Sequence, residues 1–260
     1  MSTINYGIIK DKIKEADAII IGAGAGLSTA GGVNYGTLNF KENFPELYKH
    51  YGFTDMYTSS FYDFDTEEEK WSYWAKHINY LCISMEASEI YKNLFNLVKN
   101  KNYFVLTTNV DRQFIKAGFD SNKVFEVQGA LTKIQCSRAC HNKLYDNTEM
   151  IKEMLEKNED IKIPSELVPK CPVCGKTMEV NLRKDNFFVE DDYWEEHSNN
   201  YEKFINDNKN KKMLFLEFGA GFNTPGIIRY PFEELTYKLP NAFLIRVNDK
   251  YANIHNDIED

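Results

Sequence analysis

Four of the chain's five cysteines fall into two close pairs, Cys136-Ser137-Arg138-Ala139-Cys140 and Cys171-Pro172-Val173-Cys174-Gly175. The spacings are C-x3-C and C-x2-C, about 30 residues apart, and two such knuckles can close four thiolates into a tetrahedron around one Zn2+. Scattered core cysteines rarely pair this way, so any fold for this chain must bring the two knuckles together. No His-Glu-x-x-His pattern accompanies them. Four sulfurs leave the ion no open position for water, which makes the expected zinc structural. His141, beside Cys140, is a substitute ligand the pattern does not require, and Cys82 reads as a buried structural thiol.

Around this region, short apolar runs alternate with helical stretches. Residues from Asn5 to Glu15 read as a helix, and Ala18-Ile19-Ile20-Ile21 reads as a buried strand ending in glycines. Residues from about Thr66 to Lys99 are helical in character. Tyr103 to Leu106, Val124 to Val127, Met213 to Phe218 and Ala242 to Val247 supply four further strands. Such alternation implies an α/β fold, a Rossmann-like parallel sheet with helices on both faces. The stretch 133–183 breaks the rhythm and reads as a small inserted zinc module, leaving a core of about 1–132 and 184–260. The tail from Tyr251 is polar, and a frayed end is expected.

Charge limits the partners. The net charge of -8 and the lack of a long basic run exclude non-specific nucleic-acid binding, which needs clustered cations. No run approaches the ~20 apolar residues of a membrane span, and no targeting signal is evident, so a cytoplasmic protein with reduced thiols is expected.

The first strand runs into Gly22-Ala23-Gly24-Ala25-Gly26-Leu27-Ser28. Glycines there let a backbone approach a pyrophosphate, but they serve close helix–sheet packing equally well. A hydride-transferring dehydrogenase would carry an acidic ribose partner about 20 residues on. Instead the chain continues into Asn34-Tyr35-Gly36-Thr37-Leu38-Asn39-Phe40, which reads as a loop.

Thr107-Thr108-Asn109-Val110-Asp111 leaves the second strand and continues to Ala117-Gly118. It resembles the sirtuin signature in which a threonine and Asn-Ile-Asp precede a helix ending in Ala-Gly. Gly24-Ala25-Gly26-Leu27-Ser28 with Gly32-Val33 is similar to that family's cofactor loop. Glu126-Val127-Gln128-Gly129 stands for its Glu-Leu-His-Gly, and the four cysteines for its zinc ribbon. Gly219-Ala220-Gly221-Phe222-Asn223-Thr224-Pro225 parallels its Gly-Thr-Ser loop, and Val247-Asn248 the strand end that holds the adenosine. The resemblance runs from Ile20 to Asn248. There are departures: the family's Pro-Asp-Phe-Arg is replaced by Asn34-Tyr35-Gly36-Thr37, and its histidine by Gln128. These features, with Tyr51-Gly52-Phe53-Thr54-Asp55-Met56, Thr66 to Trp71 and Ile227 to Phe232, look like the class M, macrodomain-linked microbial sirtuins.

That resemblance implies an NAD-dependent mono-ADP-ribosyltransferase acting on a protein, a lipoylated relative of the glycine-cleavage H protein, with a functional link to a macrodomain hydrolase. The implied cofactor-binding residues are Gly24, Ala25, Gly26, Ser28, Thr108, Asn109, Asp111, Gln128, Gly219, Gly221, Asn223, Thr224 and Asn248. Asp111 would accept from the nicotinamide carboxamide, and Asn109 would contact the ribose or a water. Capping of the next helix is the alternative for Asn109. Gln128 decides the outcome, because an amide cannot take up the proton that a deacylase's histidine removes. It could orient the ribose hydroxyls or the acceptor, or stand as a filler in a dead enzyme. Three alternatives remain: a lysine deacylase, a glycohydrolase, and an inactive NAD-binding adaptor.

Overall fold

A computed structural model of the chain describes residues 6–33 and 40–258. The run Asn34-Tyr35-Gly36-Thr37-Leu38-Asn39, where the sequence departs from Pro-Asp-Phe-Arg, lies outside the described residues. Two sheets organise the rest. Strands β1 (Ala18–Ala23), β2 (Tyr103–Thr107), β3 (Val124–Glu126), β7 (Met213–Phe218) and β8 (Ala242–Val247) form one sheet in the order β3-β2-β1-β7-β8. Every pairing in it is parallel, with Ile20 opposite Phe104 on one side and Phe215 on the other. Strands β4 (Gly129–Cys136), β5 (Tyr145–Asp146) and β6 (Met178–Leu182) form a smaller antiparallel sheet in the order β5-β4-β6.

The run Ala-Ile-Ile-Ile of β1 is buried on both faces, as the centre of a parallel sheet requires. One face, through Ile19, Ile21, Val105 and Leu216, packs on the helices Tyr6–Glu15 and Glu89–Val98. The other, through Ile20, Phe104 and Phe215, packs on the helices Asp192–Asn208 and Arg229–Lys238. Helices thus cover both faces, as the alternation of the sequence implies.

The stretch read as helical from Thr66 to Lys99 is divided. A helix spans Glu67–Ile78, with the Thr66 hydroxyl accepting from Glu69 N and acidic residues in the first turn, both favourable at a helix start. It continues as a π-helical segment, Asn79–Ser84. Met85 turns extended, and a new helix begins at Glu89. No proline or glycine marks the break, which is why composition alone hides it.

A third core joins parts far apart in sequence. Phe40, Phe44, Leu47, Met56, Trp71, Trp74 and Ile78 pack with Leu131, Ile134, Ile151, Met154, Met178 and Val180. The helices before β2 and the small sheet with its cysteines therefore share one apolar interior. Among the described residues no helix is long and apolar enough to cross a membrane.

Candidate active site and zinc centre

In an open parallel sheet, ligands bind outside the carboxyl ends of the strands where the chain order reverses. Here that point is the β1 C-terminus, flanked by β2 and β7. A cleft of about 870 Å3 opens there. It is lined by Gly24, Ala25, Gly26, Thr108, Asn109, Gln128, Gly219, Gly221, Asn223, Thr224 and Asn248, so eleven of the thirteen residues expected at the cofactor meet in one wall system.

The glycine stretch is shaped by proximity to the loop after β7. Gly24 N and Gly26 N donate to Phe218 O and Gly219 O, each at 3.0 Å. A Cβ on Gly26 would lie 2.8 Å from Gly219 Cα. Gly219 itself has φ +61, and a Cβ there would lie 2.3 Å from Leu27 N. Two backbones pressed this closely exclude side chains. Close packing thus accounts for these glycines, and the same residues line the cleft.

The two expected residues that do not line the cleft, Ser28 and Asp111, sit directly behind it. Ser28 Oγ donates to Asp111 Oδ2 at 2.6 Å and lies 2.7 Å from the Tyr91 hydroxyl. Asn109 Nδ2 donates to Gly24 O at 3.0 Å, Ser28 Oγ at 3.0 Å and the Tyr91 oxygen at 3.1 Å. Gly24 O can only accept, so the amide nitrogen of Asn109 must point inward. Its carbonyl oxygen is the part of that side chain left for the cleft. Asp111, 1% exposed, also accepts from Gln113 N at 3.1 Å at the start of the short helix Gln113–Lys116. That end is served by Asp111, and Asn109 does not cap it.

Tyr91 is the hub residue that sequence reasoning missed. It lies fully buried on the inner face of its helix, and burial and nearby Asp111 hold its phenol well above the usual tyrosine range. It is therefore a neutral hydroxyl at any working pH. At helical spacing it is indistinguishable in sequence from an ordinary core aromatic.

Gln128 follows β3, half-buried in the cleft wall. Its backbone carbonyl oxygen accepts from Arg183 N at 3.0 Å, which ties its main chain to the end of β6. Nearby Glu126 pairs with Arg112. Burial raises the Glu126 carboxyl, partly offset by that cation. Arg183, also in the wall, pairs with Glu190 and lies 4.2 Å over the Phe188 ring.

His77 enters the same cleft from the helix Glu67–Ile78. It is 3% exposed and stacks on Trp74, and its Nδ1 lies 2.7 Å from the Tyr73 hydroxyl. Burial drops its pKa to about 3, so it stays neutral. No motif in the sequence singles it out.

At the far end of the small sheet the four cysteines converge. Cys136 and Cys174 sulfurs lie 3.6 Å apart, as do those of Cys140 and Cys171, and all four lie within 4.8 Å of one another. Sulfurs bound to one zinc at about 2.3 Å stand roughly 3.8 Å apart, whereas a disulfide would need about 2 Å. The donor set therefore fits a tetrahedral zinc with no open position. The four thiols titrate as one set: against burial, N–H groups and neighbouring thiols lower Cys136 and Cys171, while burial and the same thiols raise Cys140. His141 Nδ1 stands 3.1 Å from Cys140 Sγ, with Nε2 3.0 Å from the Tyr145 hydroxyl. Cys82 is buried, its Sγ 3.6 Å from Val110 O.

The Sir2 family pattern matches residues 24–214, most of the chain. The chain belongs to the Sir2 family. It is 36% identical to a protein ADP-ribosyltransferase of Staphylococcus aureus over 254 residues, covering 97% of this chain and 81% of that protein. A second relative, from Fusarium oxysporum f. sp. cubense, carries the name "Probable bifunctional ADP-ribose hydrolase/ADP-ribosyltransferase". It is 28% identical over 94% of this chain and 42% of its own length. Among solved Sir2 structures, Sir2Tm bound to a propionylated peptide superposes with a TM-score of 0.61 at 18% identity, over 98% of this chain and 90% of that one. A Sir2 homologue–NAD complex gives 0.58 at 16%, over 95% and 83%. The Sir2 fold thus accounts for both sheets.

Proposed function

We propose that this chain is an NAD-dependent protein mono-ADP-ribosyltransferase. The observation that carries the reading is Gln128, an amide standing half-buried in the cleft wall.

The reaction breaks the bond between ribose C1′ and nicotinamide, and the bonding pair leaves with nicotinamide. The inward-tied amide of Asn109 leaves a carbonyl dipole toward the cleft, where it opposes the positive charge that develops on the ribose. Such preorganised dipoles cost no reorientation during reaction. Behind it, the Ser28–Asp111–Tyr91 cluster fixes that orientation. The ring cation is then captured by an acceptor group of a protein, and any proton on that group passes to solvent. A deacylase needs a base to deprotonate a ribose hydroxyl, typically worth ~10²–10⁴-fold. Gln128 cannot supply one; it can only hold hydroxyls or the acceptor by hydrogen bonds.

The Staphylococcus relative's name supports the same transfer. The Fusarium relative's name joins addition to removal, which supports a functional link to a macrodomain-type hydrolase. For the acceptor we propose a lipoylated carrier resembling the glycine-cleavage H protein, modified in the cytoplasm. The test is the intact mass of such a carrier, lipoylated and unlipoylated, after incubation with the protein and NAD. Gain of one ADP-ribose on the lipoylated form supports the assignment. Nicotinamide release with neither form modified removes this acceptor.

A further inference from the structure

A carboxylate sits inside an otherwise apolar strand. Glu217, near the end of β7, is fully buried, and its neighbour across the sheet on β8 is Arg246. Arg246 grips it with two bonds, Nε to Oε1 and NH2 to Oε2, both 2.7 Å. A second guanidinium, Arg229, lies 3.3 Å from Oε1, and Glu233 pairs with Arg246 at 2.6 Å. The Arg229 and Arg246 side chains are 4% and 1% exposed. A buried ion cluster is a weak source of stability, since well-packed apolar side chains of the same volume often do as well. Its donors suggest another purpose.

Arg229 spends its remaining hydrogens on backbone: Ala220 O at 3.2 Å, Tyr251 O at 2.9 Å and Asn253 O at 3.3 Å. Asn248 adds a tie, donating to Ala220 O at 2.8 Å while accepting from Lys250 N and Tyr251 N. One guanidinium therefore joins the segment after β7 to the segment after β8, and both wall the same end of the cleft. On these segments stand two aromatic rings, Phe222 and Tyr251, 5.0 Å apart and edge to face. They are 51% and 45% exposed, although the Tyr251 backbone is pinned and Phe222 stands two residues beyond pinned Ala220, with Arg229 backing its ring at 4.5 Å.

We propose that Arg229, fixed by Glu217, is the positioning residue for the base end of the cofactor, setting Phe222 and Tyr251 as the aromatic edge against which the base packs. The proposal rests on the NAD reading above. Exposed aromatic faces on a rigid support suit a flat base, because every base has a π-face and the contact needs no hydrogen-bond code. Arg229 touches no cofactor in this account; it acts through the two rings.

The probe is ADP-ribose, titrated calorimetrically, with steady-state NAD kinetics alongside. Phe222→Leu and Tyr251→Leu keep apolar volume but lose the ring; each is expected to weaken ADP-ribose binding about tenfold, the size of one base–aromatic contact. The loss should fall on KM for NAD rather than on kcat. Arg229→Lys keeps the charge and loses the fork. It should produce a similar shift, and little more in a background carrying both Phe222→Leu and Tyr251→Leu, because it acts through those two rings. Additive losses in that triple variant would mean that Arg229 acts only on the fold, and would overturn its assignment. Unchanged ADP-ribose affinity in both ring variants overturns the proposal alone, even if Arg229→Lys does not fold. Wild-type protein that fails to bind ADP-ribose overturns the NAD reading with it.

Discussion

The two walls of the cleft are built by different means. The wall at β1, β7 and β8 is mostly backbone, with Gly24 and Gly26 pressed on Gly219 and Ala220. Its shape follows from two parallel strand ends and from small residues where the backbones after β1 and β7 meet. The facing wall, with Met56, Tyr57, Phe61, His77, Leu131, Leu182 and Arg183, draws on segments more than a hundred residues apart. It is held by the shared core of the helices and the small sheet. One wall is set by backbone against backbone at the ends of the sheet strands, the other by side-chain packing in the core that also holds two of the metal-site cysteines. The second should therefore be the more easily lost.

Removing zinc should have the largest effect, and it should fall on the facing wall. Structural zinc sites contribute on the order of 10 kcal/mol in isolated fingers. After chelation, hydrogen exchange should show loss of protection in β4, β6 and the helix Glu67–Ile78, while β1 and β7 stay protected and transfer ceases. Retained activity in a verified metal-free sample would contradict this. Next in size is Asn109→Ala, which deletes the dipole at the junction of the walls. Transfer from labelled NAD should fall about 10²–10³-fold, as for other preorganised donors and dipoles, with the unfolding transition still cooperative.

Gly219→Ala tests the backbone wall by itself. It introduces a Cβ 2.3 Å from Leu27 N at φ +61, and should cost roughly 1–3 kcal/mol in a urea titration. The smallest expected effect lies in the facing wall. His77 is held neutral with a pKa of about 3, against an ordinary 6.5. Between these values the unfolded chain binds the extra proton, so this contribution is intact above about pH 6.5 and declines as pH falls. It should remove about 1 kcal/mol between pH 7 and pH 5.5, and His77→Phe should flatten that part of the stability profile. An unchanged profile would mean that His77 is not held neutral by burial.

The contrast between the walls also explains what could be read in advance. The five strands of the large sheet announce themselves as branched and aromatic runs, and the zinc knuckles by spacing. Thr107 to Asp111 and Gly219 to Thr224 are continuous motifs, and their placement at strand ends follows from chain order. Tyr91 and His77 carry no such signal, because each is one aromatic on a helix face whose neighbours arrive from elsewhere. Glu217, Arg229 and Arg246 look in sequence like three isolated charges. Only the register of β7 against β8 and the following helix brings them together. Burial of Asp111 behind Asn109 likewise depends on Ser28 and Gln113 from separate segments.

On the proposed reading, the amide of Gln128 directs the ribosyl cation away from the deacylation route. The direct measurement is formation of O-acyl-ADP-ribose from NAD and an acetyl-lysine peptide, comparing the unaltered protein with Gln128→His. Essentially none is expected from the former and a gain from the latter. Efficient acetyl-lysine turnover by the unaltered protein would contradict it.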